Sequence, residues 1–290
     1  MSNLQGKVIF ITGGSRGIGL AIANRAARDG ACVAIGAKTT EPHRYLPGTI
    51  YTAAQEIEKL GGRALPLVMD VRSEDSVAAA VQKTVDTFGG IDICINNASA
   101  IKLAGTAAVT MKQFDLMHQV NVRGTFLTSK LCIPHLLRAR NPHVLTLAPP
   151  LDLRPEWLAP HTAYSISKLG MSLCVLGMAA EFREAGIAFN ALWPRTPIAT
   201  AAIEFAVEQG KGLLAKCRTA QIMADAAHCI LTQPAREFSG HFCLDDSTLH
   251  ELAGETDFDK YRVAPEGKLA TDLFVGTDLD KPPGVAGTML

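Results

Sequence analysis

Short apolar segments alternate with longer segments of helical periodicity through most of the chain, and this alternation constrains the fold more than any other feature. Parallel strands need long crossover connections, which are usually helices, so the order predicts a parallel sheet. The short segments are apolar nearly throughout, as expected for strands covered by helices on both faces. The predicted strands are 7–12, 32–37, 64–70, 91–98, 143–148, 188–194 and 241–245.

The longer segments place apolar residues three and four positions apart, and four of them end at a glycine, as helices often do. Those glycines are Gly30, Gly61, Gly89 and Gly186. The predicted helices are 18–29, 50–60, 73–88, 111–139, 162–185 and a segment around 203–216.

Nearly half of the 290 residues are hydrophobic, so the chain can bury a substantial core. We expect an α/β fold with a doubly wound, mostly parallel sheet of about seven strands, formed by residues 1–250. Residues 251–290 are predicted to be a C-terminal extension, loosely attached from Gly276 onward, where Gly, Pro and Asp are frequent.

A glycine-rich turn, Thr12-Gly-Gly-Ser-Arg-Gly-Ile-Gly19, lies between the first predicted strand and the first predicted helix. Its glycines permit a tight turn and close approach of a pyrophosphate, and the helix N-terminus supplies free N–H groups. An ordinary strand-to-helix turn is the alternative, but the position after the first strand favours a dinucleotide site. The predicted cofactor-binding residues here are Gly13, Ser15, Arg16, Gly17, Ile18 and Gly19.

The end of the second predicted strand bears on the choice between NADP(H) and NAD(H). An acidic residue about 20 positions beyond such a turn commonly binds the adenosine ribose and disfavours a 2′-phosphate. Here the strand ends Gly36-Ala-Lys38, and Arg16 with Lys38 could hold a phosphate monoester. NADP(H) is therefore favoured. NAD(H) stays open, because both cations could be ordinary surface residues and Glu41 could reach the ribose.

Tyr164 and Lys168 lie four residues apart on a long apolar helical segment, so their side chains share one face. A free phenol has a pKa of about 10, and lowering that pKa to near 7 takes about 4 kcal/mol. A neighbouring ammonium favours the phenolate. The pair alone also fits a helix face at the edge of a core, so its meaning depends on the rest of the chain.

Five motifs in order resemble the short-chain dehydrogenase/reductase family from Gly6 to about Asp246. They are Thr12-Gly-x-x-x-Gly-x-Gly19, Asp70-Val71, Asn96-Asn-Ala-Ser99, Asn121 and Tyr164-x-x-x-Lys168. Four further segments resemble the hydroxysteroid dehydrogenase-like branch, whose animal members add a sterol-carrier-type domain that this sequence does not contain. These segments are Lys38-Thr-x-x-Pro-His43, Gly48-Thr-Ile-Tyr-Thr-Ala-Ala54, Ala148-Pro-Pro150 and Asn190-Ala-Leu-Trp-Pro194.

The resemblance implies a hydride transfer between NADP(H) and a carbonyl or secondary alcohol, with general acid/base catalysis beside the cofactor. Tyr164 would exchange the proton, Lys168 would bind the nicotinamide ribose and lower the Tyr164 pKa, and Asn121 would hold a water that links Lys168 to solvent. The other positions implied to bind cofactor are Asp70 and Val71 at the adenine, Asn97 and Ala98 at the ribose, and Pro194 and Thr196. Ala148 and Pro149 are implied to face the substrate.

Ala148 departs from the family, which normally places a Ser there to hydrogen-bond the substrate carbonyl. Loss of one such donor can cost on the order of 10²–10³ in rate. Thr146 points to the same face but lies about 6.6 Å further back. Three readings stay open: a slow enzyme, an enzyme in which Thr162 or another group replaces the Ser, or an NADP(H)-binding regulatory or scaffold protein without turnover.

Arg195 stands where the family commonly has Gly. It could meet a phosphate or a substrate carboxylate, and we expect it to point to solvent. Beyond it, an apolar segment could form a lid over an apolar, lipid-like substrate, or simply pack as a helix. That segment contains Ile198, Ala202, Ile203, Phe205 and Ala206.

The balance of 28 basic and 28 acidic residues argues against nucleic acid or a membrane surface as a partner. The seven cysteines are widely spaced, and we predict no metal site and reduced thiols. The first residues show no signal-peptide pattern, which favours a cytoplasmic protein. The small and apolar residues of the Tyr164 helix permit the homodimer or homotetramer that is usual in the family.

Overall fold

The computed structural model describes residues 3–42, 47–201, 203 and 210–275. Within these ranges seven strands form one sheet in the order β3-β2-β1-β4-β5-β6-β7, and each neighbouring pair is parallel. The predicted doubly wound parallel sheet is confirmed. The strands are β1 Val8–Thr12, β2 Cys32–Ala37, β3 Arg63–Val68, β4 Ile93–Asn96, β5 His143–Thr146, β6 Ala188–Trp193 and β7 Phe242–Leu244.

Helices cover both faces of the sheet and enclose one apolar core on each side. The described helices are α1 Gly17–Ala27, α2 Ile50–Lys59, α3 Glu74–Phe88, α4 Met111–Met117, α5 Gly124–Leu136, α6 Pro155–Leu158, α7 Thr162–Glu181, α8 Gly210–Leu214, α9 Gln221–Leu231 and α10 Asp245–Ala253. Helices α1, α2 and α9 pack on one face, and α3, α5 and α7 pack on the other.

Local signals explain where several helices begin and end. The Thr49 hydroxyl accepts from the backbone N–H of Thr52 at the start of α2, and the Ser73 hydroxyl accepts from that of Ser76 at the start of α3. Gly89 ends α3 with a φ of 88°, a conformation that favours glycine. The predicted helix 111–139 is instead divided by a π-helical turn, His118–Arg123, while α9 was not predicted.

Among the described helical stretches, Pro155–Glu181 is long and apolar enough to cross a membrane, by length and composition. Core helices of globular folds pass the same test, and 61% of the tested window is buried inside this fold. Its α7 part contributes Met171, Val175 and Met178 to a core beside the sheet.

The predicted C-terminal extension, 251–290, begins inside a helix, because α10 spans Asp245–Ala253. Further along, Phe274 and Val275 are buried against Tyr164 and Trp193. The predicted loose attachment from Gly276 onward lies outside the described residues, and the division at residue 250 stays a prediction.

The strand order reverses between β1 and β4, because β1 connects outward to β2 while β4 lies on its other side. Loops that leave the carboxyl ends of these two strands diverge and leave a crevice, where open α/β sheets bind ligands. The glycine-rich turn follows β1 and Asn97 follows β4, so both lie at this crevice.

Candidate active site

A cleft of about 870 Å³ opens at the carboxyl ends of the central strands. Of the predicted cofactor-binding residues, those that line it are Gly13, Ser15, Arg16, Gly17, Ile18, Lys38, Asp70, Val71, Asn97 and Ala98. Loops that follow four different strands therefore bring these residues together. Tyr164, Lys168, Pro194 and Thr196 are buried and are not among the described residues that line the open cleft.

The glycine-rich turn packs tightly against the end of β4. Gly13 has a φ of 69° and Gly17 a φ of 58°, in the region that favours glycine. A Cβ at Gly19 would lie 2.5 Å from the Asn97 Nδ2 atom, and one at Gly13 would lie 3.0 Å from the Ala98 Cα atom. Glycine is thus required at these positions by close packing and backbone conformation.

Asn97 ties the turn to β4 through its side chain. Its Nδ2 donates to the carbonyl oxygens of Thr12 (2.9 Å) and Gly13 (3.0 Å). The Thr12 hydroxyl in turn accepts from the backbone N–H groups of Asn97 (3.1 Å) and Ala98 (3.0 Å). The Asn97 amide is therefore used to hold the cleft in shape, and its donors are not free for a ligand.

The far end of the cleft is cationic. Its described lining contains three basic side chains, Arg16, Lys38 and Arg72, and one carboxylate, Asp70. Arg72 binds Asp70 through two nitrogens, which lowers the pKa of that carboxyl to about 2, and the Lys38 Nζ lies 3.7 Å from it. Glu41, the residue that could have favoured NAD(H), is exposed and is not among the described lining residues.

Arg16 is half-buried beside the turn. Its Nη2 donates to the Gly48 carbonyl (2.8 Å), its Nε has no partner, and burial lowers its pKa. Lys38, by contrast, has a side chain that is 64% exposed and can move to meet a ligand. The two cations thus differ: the Arg16 side chain is held by its hydrogen bond to Gly48, whereas the exposed Lys38 side chain can change conformation.

Tyr164 and Lys168 are buried on one face of α7. The Lys168 Nζ donates to the Leu147 carbonyl (2.7 Å) and lies 5.1 Å from the centre of the Trp193 ring. Burial lowers the Lys168 pKa to about 7, and burial together with the Asp272 charge raises the Tyr164 pKa above its usual value. Proton transfer near neutrality requires a lowered tyrosine pKa, whereas the surroundings of Tyr164 in the protein raise it.

Asn121 lies in the π-helical turn between α4 and α5. Its Oδ1 accepts from the Ala100 N–H (2.8 Å), and its Nδ2 donates to the Ala100 carbonyl and to the Ser167 hydroxyl (both 2.9 Å). Both amide hydrogens are therefore committed to fixing the loop after β4 to α7. The role of holding a water would fall to the remaining oxygen lone pairs of this residue.

Ala148 is buried, with 1% of its surface exposed, two residues after the end of β5, and its predicted position facing the substrate stays a prediction. Thr146 is buried one repeat further back, and its hydroxyl lies 3.4 Å from the Asn96 Nδ2 atom. The Thr162 hydroxyl donates to the Leu158 carbonyl (3.0 Å). The carbonyl of Pro149, the residue after Ala148, accepts from the Ser172 hydroxyl (2.7 Å). The Thr162 hydroxyl is therefore committed as a donor, whereas the Thr146 hydroxyl accepts from Asn96 and lies one repeat behind Ala148.

The expectation that Arg195 points to solvent is wrong. Its Nε donates to both carboxylate oxygens of Asp246 (2.7 and 2.9 Å), and its Nη2 donates to the Ser247 hydroxyl (2.8 Å). Arg218 Nη1 binds the same Asp246 carboxylate (2.9 Å). The Asp246 carboxylate at the start of α10 thus holds the Arg195 side chain in the interior, and Asp245 Oδ1 accepts from the Arg195 backbone N–H (2.9 Å). This pairing joins residues about 50 positions apart, so local sequence could not reveal it.

The neighbouring Thr196 has a buried hydroxyl group without a hydrogen-bond partner. The whole residue is completely buried. Buried hydroxyls are rarely left unpaired in native proteins. The residues present therefore fit a nicotinamide nucleotide, with the glycine-rich turn at the phosphates and the Thr196 hydroxyl available to a polar group of the bound cofactor.

Sequence reasoning missed the contribution of residues 272–275 to this site. The Asp272 N–H donates to the Arg195 carbonyl (2.9 Å), and the Trp193 Nε1 donates to the Leu273 carbonyl (2.8 Å). The Asp272 carboxyl group is desolvated although the residue keeps some exposed surface, and its pKa is raised to about 7. The short apolar run after Asp272 was the only local signal.

The model of the short chain dehydrogenase family matches residues 7–209, more than half of the chain. The chain belongs to the short-chain dehydrogenase family. It is 57% identical to hydroxysteroid dehydrogenase-like protein 2 of Danio rerio over 274 residues, and 51% identical to that of Homo sapiens over 272 residues. Each alignment covers 94% of this chain but 64% of the relative, so this chain spans less than two thirds of their length.

Solved structures extend over nearly the whole chain. A short chain dehydrogenase from Mycobacterium thermoresistibile is 53% identical, with a TM-score of 0.90, and covers 98% of this chain and 100% of its own. A protein from Xanthomonas campestris is 55% identical, with a TM-score of 0.89, over 95% and 99%. Membership of the short-chain dehydrogenase family implies a nicotinamide cofactor, NAD or NADP.

Two further predictions concern the lid segment and metal binding. The lid segment is described only at Ile198, which is buried, and at Ile203, whereas Ala202, Phe205 and Ala206 lie outside the described residues. Within the described ranges no cluster of three or more His, Cys, Asp or Glu side chains could hold a metal ion.

Proposed function

We propose that this short-chain dehydrogenase transfers a hydride between NADP(H) and a carbonyl or secondary alcohol on an apolar substrate. The observation that carries the proposal is the buried pair of Tyr164 and Lys168 on one face of α7, in a fold whose cleft is lined by the glycine-rich turn and by cationic side chains. Burial of a lysine is costly, so a buried tyrosine–lysine pair favours a functional role over a purely structural one.

In the reduction direction, the nicotinamide when bound supplies a hydride to the carbonyl carbon. Tyr164 donates its hydroxyl proton to the carbonyl oxygen and is left as a phenolate. Lys168, protonated, stabilises that phenolate and holds the ribose hydroxyls in place of its present bond to the Leu147 carbonyl. A proton from solvent then restores Tyr164, so that one hydride and one proton are added overall.

The cationic end of the cleft supports NADP(H) over NAD(H). Arg16 and Lys38 flank the place where β2 ends, and no described lining carboxylate other than the paired Asp70 competes there. A 2′-phosphate would gain charge-assisted hydrogen bonds that a ribose hydroxyl cannot accept as strongly.

We expect Lys38→Ala to weaken NADPH binding about tenfold, because an exposed phosphate contact with one cation is worth roughly 1–2 kcal/mol. NADH affinity should change less than twofold, as should both affinities in the control Lys59→Ala at the exposed end of α2. Calorimetric titration measures both. Equal losses for NADPH and NADH would contradict the assignment of Lys38 to the 2′-phosphate.

An apolar substrate is supported by the walls around Tyr164. The cluster there contains Trp193 and Phe274, with Trp157 and Leu158 packed against it. Such walls favour apolar groups and leave the orientation of the substrate to a few polar atoms.

Ala148→Ser is expected to raise kcat about tenfold for a small ketone, because it returns a hydroxyl donor toward the developing negative charge on the carbonyl oxygen. The gain should be absent from Ala180→Ser, which makes the same chemical change at an exposed position of α7. Steady-state kinetics decides the matter. An unchanged rate would show that another group already serves as the donor.

A cofactor-binding regulatory or scaffold protein is the second candidate, and two observations favour it. Ala148 removes the usual donor, and the Tyr164 pKa is raised in the present state. The two functions are separated by turnover. Loss of NADPH absorbance at 340 nm with apolar ketones and aldehydes supports the dehydrogenase, whereas stoichiometric NADPH binding without turnover on that panel supports the scaffold.

We also propose a homodimer or homotetramer in the cytoplasm. Large apolar side chains stand exposed on two adjacent helices, at Phe126 on α5 and at Ile166 and Leu173 on α7. Exposed apolar side chains grouped in this way are typical of a contact surface. Light scattering that gives a monomer mass would contradict this proposal.

A further inference from the structure

The described C-terminal residues 272–275, here called the strap, pack against the catalytic half of the site. Two hydrogen bonds join the strap to β6 and the residues after it: Asp272 N–H to the Arg195 carbonyl and Trp193 Nε1 to the Leu273 carbonyl. The described residues that line the open cleft include none of the strap, and neither Tyr164 nor Lys168. The strap thus packs in the apolar cluster that contains Tyr164, where the apolar part of a bound substrate would extend.

Phe274 places an aromatic ring in this region. The ring is 2% exposed and lies between two indoles, with centroids 5.9 Å from Trp193 in an edge-on arrangement and 6.4 Å from Trp157. The same apolar cluster contains Tyr164. A buried ring held between aromatic walls beside the proton donor fills the space that an apolar substrate group would require.

The backbone of the strap is strained at the same residue. Phe274 has a φ of 65° and is the only non-glycine residue with a positive φ in the described parts of the chain. A bulky residue adopts this conformation only when its surroundings hold it there. Burial of the ring therefore opposes the strain of the backbone, and a ligand that replaces the ring releases that strain.

Electrostatics distinguishes the docked strap from a catalytic arrangement. Asp272 brings a carboxyl group toward Lys168, Tyr164 and Cys217, and its negative charge adds to burial in raising the Tyr164 pKa. A tyrosine in this setting keeps its proton and is a poor base. Departure of Asp272 removes one of the two causes that hold the Tyr164 pKa high.

We propose that Phe274 occupies the subsite for the apolar group of the substrate in the ligand-free protein, and that a carbonyl substrate with such a group binds by displacing the Phe274 ring. The inference rests on the proposed dehydrogenase function for the carbonyl part of the ligand. It makes Phe274 a specificity-determining residue, because ligands with a group that can replace a phenyl ring between Trp157 and Trp193 compete best with the strap.

The kinetic test compares benzylacetone, a methyl ketone with a phenyl ring, with acetone, which is too small to reach the subsite. With NADPH, Phe274→Ala is expected to lower KM for benzylacetone about tenfold, because binding no longer requires the strap to be displaced. KM for acetone should stay within twofold. The control Phe238→Ala removes a half-buried ring beyond β6 and should change neither value. An unchanged or higher KM for benzylacetone in Phe274→Ala would overturn the proposal.

A binding test does not depend on turnover. Trp157 and Trp193 are the only tryptophans in the chain, so tryptophan emission, excited selectively over tyrosine, reports on the two walls of the subsite. Benzylacetone should shift the emission of the unmodified protein, and Phe274→Asn, which tolerates a positive φ, should bind it about tenfold more tightly. Failure of benzylacetone to bind, or equal affinity for both proteins, would overturn the subsite. Tighter binding by the variant with no turnover would overturn the dehydrogenase function and leave the subsite standing.

Discussion

Tyr164→Phe is expected to lower kcat for carbonyl reduction about 10³-fold, within the range that a positioned general acid contributes. The substitution removes only the hydroxyl, and the ring keeps its place in the apolar cluster with Trp193. The dissociation constant for NADPH should therefore change less than twofold. Stopped-flow absorbance and calorimetric titration measure the two quantities separately.

The matched control is Tyr51→Phe, which removes a hydroxyl from a half-exposed tyrosine on α2. It should leave both kcat and NADPH affinity unchanged. A loss of less than about tenfold in Tyr164→Phe would contradict the assignment and show that the proton reaches the substrate by another route.

Asp246→Ala is expected to lower the free energy of unfolding by about 3–5 kcal/mol, the usual cost of breaking a buried ion pair. Asp246 is the carboxylate that both Arg195 and Arg218 bind, and all three side chains are at least nine-tenths buried. Its removal leaves two guanidinium groups in the interior without this partner. Urea unfolding, extrapolated linearly to water, measures the change.

Removal of the exposed carboxylate Asp115 in Asp115→Ala is the control and should cost less than about 0.5 kcal/mol. Because the Arg195 backbone also holds the strap and precedes Thr196, Asp246→Ala should additionally weaken NADPH binding. An unfolding free energy within about 1 kcal/mol of the parent protein would contradict a buried, tightly paired cluster.

The sheet was predictable from sequence because its signals are local. Each strand is a short apolar run between turn residues. The glycine-rich turn is recognisable from glycines such as Gly13 and Gly17, which adopt positive φ values. The glycine-rich turn after the first strand predicted a dinucleotide site, and the pairing of β1 with β4 in the structure places the cleft at the ends of these two strands. Strand ends differed from prediction by a few residues, where apolar character continues past the last ladder bond.

What could not be predicted depends on contacts between distant residues. The π-helical turn interrupts a periodic segment where Asn121 bonds to Ala100 and Ser167. Arg195 turns inward because Asp246 lies opposite it, 51 positions later. In each case the deciding partner is far along the chain, and no period or spacing near the residue encodes it.

The strap illustrates the same limit at the active site. Its only local signal is three apolar residues ending at Val275, set in a polar stretch with no periodic pattern. Its position is fixed by Trp193 and Arg195, roughly 80 residues earlier, through one indole and one carbonyl. The Tyr164 pKa follows from that position, since Asp272 contributes to raising it.

The most direct test of the central claim is transfer of deuterium from NADPH that carries deuterium at the transferable position of nicotinamide C4. With benzylacetone and other apolar ketones and aldehydes, each molecule of alcohol product should carry one deuterium on the former carbonyl carbon, detected by mass spectrometry, and Tyr164→Phe should form almost none. Bound NADPH with no deuterated product from any of these compounds would contradict a hydride-transferring dehydrogenase.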